Sequence, residues 1–259
     1  MSNVQLLKFS TREELFNQLA NDCEASLKKS IDSSQEASFI IPGGTTPGPA
    51  FELLSKKELD WSKVSIAQSD ERWLDAEHDQ SNEKLTKRTL LINHASQANY
   101  IAMKNSSATA LDGKMLCNQD YRSLLAPFSI TMLGMGLDGH FASLFPSSKT
   151  IEEALDLSNK DLCIEIDATG CSVAGEYTER MSLTLSAILN SEQIILLITG
   201  KAKLQLIEDV LVNINLNTDI NTAINTVINT VINDETGPAL PIRYLLEQKE
   251  TDVNIYWAE

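Results

Sequence analysis

Short apolar runs alternate along the chain with longer stretches in which apolar residues recur every three or four positions. The runs at 38–41, 64–67, 100–103, 128–133, 162–166 and 194–198 predict strands. Several are almost continuously apolar, the pattern of strands covered on both faces. Between them, 47–57, 81–91, 111–125 and 201–212 carry apolar residues at helical spacing. Thr46 is placed to cap the first of these helices, with Pro47 at its first helical position, where a missing N–H costs nothing. Alternating strands and helices predict an α/β fold: a mostly parallel open sheet, right-handed crossovers and helices on both faces. No linker of distinct composition divides residues 1–259, so a single domain is expected.

One segment breaks the pattern. From Ile220 a four-residue unit recurs, Ile-Asn-Thr-Ala, then Ile-Asn-Thr-Val twice, then Ile-Asn-Asp-Glu. On a helix, Leu216, Ile220, Ile224, Ile228 and Ile232 would form one stripe. A period of four drifts against the helical period of about 3.6, so that stripe winds around the helix. Asn, Thr, Ile and Val are also mediocre helix formers. The preferred reading is a tandem expansion at about 214–234 that lengthens a surface helix or loop. The other is an apolar stripe for self-association.

Composition narrows the function. Hydrophobic residues make up 42% of the 259, enough for a packed core. The net charge of -15 argues against nucleic-acid and acidic-membrane partners, which need a basic face. A small anionic substrate remains open if a few cations are well placed. Cys23, Cys117, Cys163 and Cys171 form no Cys-x-x-Cys pair and have no histidine close in sequence, so no metal set is expected. Dispersed thiols of this kind predict a reduced, cytoplasmic protein. Residues 1–20 carry Lys8, Arg12, Glu13 and Glu14, which fit no signal peptide, and the apolar run at 194–198 is far too short to span a membrane.

Four constellations lie where the predicted strands end. Pro42-Gly43-Gly44-Thr45-Thr46-Pro47-Gly48 follows the first strand and precedes a helix. Its glycines let backbone amides approach an anion, although such a segment is equally a plain turn. Ser69-Asp70-Glu71-Arg72-Trp73 follows the second strand. Asp70 is a candidate acid–base or orienting group and Arg72 a candidate anion fork. Alone, this segment reads as a solvated charged turn. Leu133-Gly134-Met135-Gly136-Leu137-Asp138-Gly139-His140 continues through Phe141-Ala142-Ser143-Leu144-Phe145-Pro146. A bend at Gly139 would bring Asp138 and His140 toward one cavity, and histidine suits proton transfer near neutral pH. His78 and His94, the other two histidines, sit in a charged loop and near a helix end. Finally, Arg180 opens Met181-Ser182-Leu183-Thr184-Leu185, and Thr199-Gly200-Lys201-Ala202-Lys203 puts two cations in a helix's first turn. Cations are unfavourable there unless an anion binds. Ligands of open α/β sheets bind beyond the carboxyl ends of strands. Together the four segments provide for a phosphorylated small molecule and acid–base chemistry without a metal.

These blocks, with Leu240-Pro241-Ile242-Arg243 and Tyr256-Trp257, resemble the signatures of the 6-phosphogluconolactonases. The resemblance runs in order from about residue 38 to the end, and the Asp138 to Pro146 block is its most specific part. The repeat at 220–232 has no counterpart in it. It implies a fold like that of glucosamine-6-phosphate deaminases, no cofactor, and hydrolysis of 6-phospho-D-glucono-1,5-lactone in the pentose phosphate pathway. His140 matches the general base of the family. Arg72, Arg180 and Lys203 match substrate or phosphate contacts, beside the amides of Gly43, Gly44 and Thr45. On this reading His140 takes a proton from water and returns one to the ring oxygen, Asp138 holds its tautomer or is structural, and glycine-loop amides meet the oxyanion. Two rivals stand beside it. A glucosamine-6-phosphate deaminase also carries Asp-Gly-His, but its ring-opening acid falls where this chain has Phe145, which transfers no proton. A non-catalytic sugar-phosphate sensor usually adds a DNA-binding module, and no basic helix-turn-helix precedes this domain.

Overall fold

In the computed structural model the described residues are 4–219 and 240–259. Seven strands form one parallel sheet: β1 (Val4–Lys8), β2 (Ala37–Ile41), β3 (Val64–Gln68), β5 (Asn99–Ile101), β6 (Ile130–Leu133), β9 (Ile194–Thr199) and β10 (Val253–Ala258). Three more form a small antiparallel sheet: β4 (Asp70–Arg72), β7 (Cys163–Asp167) and β8 (Glu179–Leu183), with β8 in the middle. The strand order of the large sheet is β1-β10-β9-β6-β2-β3-β5.

The continuous apolar runs have their explanation in two separate cores. In β2, Phe39 and Ile41 enter one core and Ile40 the other. In β9, Ile195 and Leu197 join Phe39, while Ile194, Leu196 and Ile198 join Ile40. Against the first core pack α1 (Arg12–Ser34) and α2 (Gly48–Leu54), through Leu15, Leu19, Leu27 and Phe51. Against the second pack α4 (Ala110–Tyr121), α5 (Ile151–Leu155), α6 (Leu185–Leu189), α7 (Lys201–Asp219) and α8 (Pro241–Glu247). A further α-helix, α3 (Asn82–Thr89), is capped by Ser81, whose Oγ accepts from the Lys84 N–H. Each leucine fully withdrawn from water in such cores contributes about 1.5–3 kcal/mol.

The order of strands fixes where a ligand can enter. From β2 the chain winds outward through β3 to β5, then returns to β6 and winds the other way through β9 to β10. Crossovers therefore leave β2 and β6, which are neighbours, in opposite directions. The crevice that opens between them is a topological switch point.

Three expectations change. The run at 162–166 belongs not with the parallel strands but to β7 of the small sheet. The eleven residues between β7 and β8 suit an antiparallel return, since a parallel crossover needs about a dozen or more and usually a helix. Ser69–Trp73 is not a solvated turn, because Asp70–Arg72 pairs with β8 and Glu71 is only 1% exposed. Thr46 does not cap α2: Pro47 holds the N-cap position and no side chain bonds there. The repeat at 220–232 lies outside the described residues. No helix among those described is long and apolar enough to cross a membrane.

Candidate active site

The loops after β2 and β6 meet at the switch point and border a pocket of about 330 Å3. Gly43 must be glycine because of a close neighbour: a Cβ there would fall 2.0 Å from Asn82 Oδ1. Asn82 is itself fixed, donating through Nδ2 to the Asp70 carbonyl at 2.8 Å and through its backbone N–H to Glu71 Oε1 at 2.8 Å. Both glycines of the β2 loop, Gly43 and Gly44, line the pocket, as does Thr46. Thr45 is exposed and does not.

The small sheet contributes Asp70, Arg72 and Arg180. Arg72 and Arg180 stand directly opposite one another in the β4–β8 pairing. Like charges in that relation repel. Arg180 is buried, donates through Nε to the Tyr177 carbonyl at 2.6 Å and through Nη2 to the Ala174 carbonyl at 2.7 Å, and brings Nη1 to 4.0 Å from Asp70 Oδ2. Burial holds its proton affinity below the ordinary arginine value, and the charge of Arg72 adds to that against the pull of Asp70. Arg72 donates through Nη1 to the Gln80 carbonyl, while its buried Nε has no partner among the described residues. A buried donor without an acceptor is costly. An anion in the pocket would remove both that cost and the repulsion. Arg180 thus lies within a strand rather than beyond one, since the antiparallel return of β8 carries it back alongside β4.

The loop after β6 carries His140. The imidazole folds back over Gly136, where a Cβ would lie 2.3 Å from two ring atoms and 2.5 Å from Asp138 Oδ1. His140 Nδ1 and Asp138 Oδ1 are 2.6 Å apart. Burial pushes the Asp138 carboxyl up, but the hydrogen bond and charge of His140 outweigh it and hold the group below its ordinary value. The other face of the ring meets Phe145, centroid to centroid 4.5 Å. Phe145 is buried and also lies under the Arg180 guanidinium. His140 lines the pocket and Asp138 does not, so the carboxylate stands behind the imidazole. The Gly136 N–H is bonded to the His140 carbonyl at 2.9 Å, which closes that amide to an oxyanion.

Lys203, in the first turn of α7, completes the lining. It is half-buried, and desolvation lowers its pKa, with no offsetting counter-charge among the described residues. Lys201 points elsewhere, to an ion pair with Glu259 at 3.0 Å. Of the nine residues the sequence singled out, Gly43, Gly44, Asp70, Arg72, His140, Arg180 and Lys203 therefore border one pocket, Asp138 touches His140, and Thr45 lies outside. Among the described residues, no three His, Cys, Asp or Glu side chains gather where they could hold a metal ion.

Sequence reasoning passed over two residues that hold this arrangement. Glu71 accepts from the N–H groups of Arg72, Asn82 and Glu83, each at 2.8 Å, and from Ser81 Oγ. Asn82 lines the pocket. The Ser81-Asn82-Glu83 start of a helix was the available signal, but it announces a cap and not a partner ten residues upstream.

Residues 10–230 match the protein family described as glucosamine-6-phosphate isomerases/6-phosphogluconolactonase. A curated protein of Rhizobium meliloti named 6-phosphogluconolactonase is 32% identical over 96% of this chain and 97% of its own length. One of the same name from Xylella fastidiosa is 34% identical over 81% of this chain and 86% of its own. The crystal structure of a 6-phosphogluconolactonase from Shewanella baltica superposes with a TM-score of 0.84 at 34% identity, covering 99% of this chain and 98% of that one. A monomeric glucosamine-6-phosphate deaminase, 16% identical with a TM-score of 0.69, shares the fold. With a parallel sheet whose switch point holds the glycine loops, and with this match along most of its length, the chain belongs to the glucosamine-6-phosphate isomerase/6-phosphogluconolactonase family.

Proposed function

We propose that the chain is a lactonase that hydrolyses 6-phospho-D-glucono-1,5-lactone to 6-phospho-D-gluconate, the second step of the oxidative pentose phosphate pathway. The observation that carries this is one pocket bordered both by a carboxylate-backed histidine and by three cations, of which Arg72 keeps a buried Nε without an acceptor among the described residues. The names of relatives about a third identical over most of the chain support the choice of substrate. Asp138 accepts the Nδ1 proton of His140, which leaves Nε2 with its lone pair as the base. His140 takes a proton from water as the oxygen attacks the lactone carbonyl. The imidazolium then gives that proton to the ring oxygen as the C–O bond breaks. Arg72, Arg180 and Lys203 hold the phosphate, and this remote binding orients the carbonyl. Asp70 is then a counter-charge to Arg180 rather than the base, because Ser143 already donates to its Oδ2 at 2.6 Å. A deaminase would need an acid where Phe145 packs on the His140 ring. The reading takes 1–259 as one domain with the Ile-Asn-Thr repeat as an insertion, working in the cytoplasm, where its four free cysteines suit a reducing milieu.

The test is His140→Asn. Binding of 6-phosphogluconate should survive. The catalysed rate, after spontaneous lactone hydrolysis is subtracted, should fall by roughly 10²–10⁴. A folded variant with near-normal turnover would assign the proton transfer to another group.

A further inference from the structure

Ser143 takes no part in the proton transfer just described, yet it occupies an unusual place. It is fully buried, and its hydroxyl donates to Asp70 Oδ2 at 2.6 Å. Its own N–H donates to Ser182 Oγ at 3.2 Å, and Ser182 is the cross-strand partner of Asp70. The loop that carries His140 is thus bolted to the small sheet at the level of Asp70. The residue before Ser143 is Ala142, with φ 48°, in the left-handed region where a residue with a Cβ is strained. Strain of this kind persists only where neighbouring contacts over-determine the backbone, and the two hydrogen bonds of Ser143 do so here.

The oxygen that Ser143 engages is the one nearest Arg180. Nη1 of Arg180 stands 4.0 Å from Asp70 Oδ2, and the two side chains are only 6% and 10% exposed. In so dry a place opposite charges attract strongly and close to contact unless something else satisfies them. Nε and Nη2 of Arg180 are committed to the Tyr177 and Ala174 carbonyls, so Nη1 is the arm left to meet either Asp70 or a bound anion. We infer that Ser143 is a positioning residue: by occupying Asp70 Oδ2 it keeps the Asp70–Arg180 pair open and leaves Arg180 Nη1 available to the substrate's anionic group. The inference rests on the reading of the pocket as an anion site, and deepens it by naming what keeps that site primed. Ser143 touches no reacting atom in this scheme and acts through Asp70.

The test is a double-mutant cycle read by binding of 6-phosphogluconate and, separately, of inorganic phosphate. Ser143→Ala frees Asp70 to close on Arg180. It should weaken both ligands about tenfold, the range of a lost hydrogen bond to a charged group. KM for the phosphorylated lactone should rise with it, and kcat should stay within about threefold, since the backbone N–H of residue 143 still ties the His140 loop to Ser182 Oγ. In an Asp70→Asn background no carboxylate is left to capture the guanidinium, and the same Ser143→Ala change should alter binding less than about twofold. An equal loss in both backgrounds would overturn the inference, because a mere packing defect does not depend on the charge at position 70. If Ser143→Ala does not accumulate folded, Ser143→Cys keeps the volume with a weak donor and carries the same comparison. Should the wild type hydrolyse no phosphorylated lactone and still show this coupling with inorganic phosphate, the lactonase reading fails and the role of Ser143 stands.

Discussion

Glu71 combines two opposed demands in one side chain. Its carboxylate organises the start of α3 by accepting the Asn82 and Glu83 N–H groups and the Ser81 hydroxyl, it accepts the Arg72 N–H as well, and the three backbone donors favour its charged form. Burial acts more strongly the other way and pushes its pKa from 4.5 up to about 7. An acid whose folded value lies above its unfolded one adds stability below the unfolded value and loses it as pH rises through the folded value. The stability of the wild type relative to Glu71→Gln should therefore decline between pH 4.5 and about 7 and level off above, a change of about 3 kcal/mol. Urea unfolding of both proteins across that range measures it, and parallel curves would refute it. At this scale His140, Asp138 and Arg72 could be singled out in sequence because they stood in glycine-rich or strand-end contexts, and His140 because the chain has only three histidines. Glu71 and Asn82 were not, because each matters only through a partner about ten residues away, and Gly43 touches Asn82 across a still longer separation.

Among elements, the loop after β6 shows how a local sequence prepares a site. Gly136 exists to admit the imidazole, so Gly136→Ala should displace His140 and Asp138 together. A shift of about an ångström at a catalytic group costs about 10²-fold in rate. Turnover should fall by that order while the melting temperature moves little, since the loop borders an open pocket. Unchanged kcat would show that the ring has another place to go. The strands 37–41, 64–68 and 194–199 were readable because both their faces are largely buried and their sequences are mostly apolar. The longest helix among the described residues, α1, was missed behind its charged residues, although the signals were present. Thr11 Oγ1 accepts from the Glu14 N–H, Glu14 reaches back to the Ser10 N–H, and Leu15, Leu19, Cys23, Leu27 and Ile31 recur every four residues. Short β4 and β8 were hidden for a different reason. β4 is three residues long and charged, and nothing local tells a turn from a strand until a partner pairs with it.

Across the whole molecule, a chain of net charge -15 gathers Arg72, Arg180 and Lys203 around one pocket. Such local focusing lets an acidic protein receive an anion. Replacing each of the three by Ala should weaken a phosphorylated lactone at least about tenfold, as expected when a charge-assisted contact is lost. An unphosphorylated gluconolactone should be affected far less, and equal losses in kcat/KM for both substrates would refute the assignment.

The sequence carries the class of fold, because apolar periodicity records which faces of a segment leave water. It also determined the local chemistry of the His140 loop, because glycine, aspartate and histidine lie within a few bonds of each other. The assembled fold is what makes β2 and β6 neighbours whose crossovers diverge, and so sets where the crevice opens. It alone set Arg72 opposite Arg180, more than a hundred residues apart, and placed Ser143 on Asp70. The difference is one of range. Propensity and periodicity act over a few residues, whereas strand pairing and buried charge are settled by contacts between segments whose separation along the chain carries no local trace.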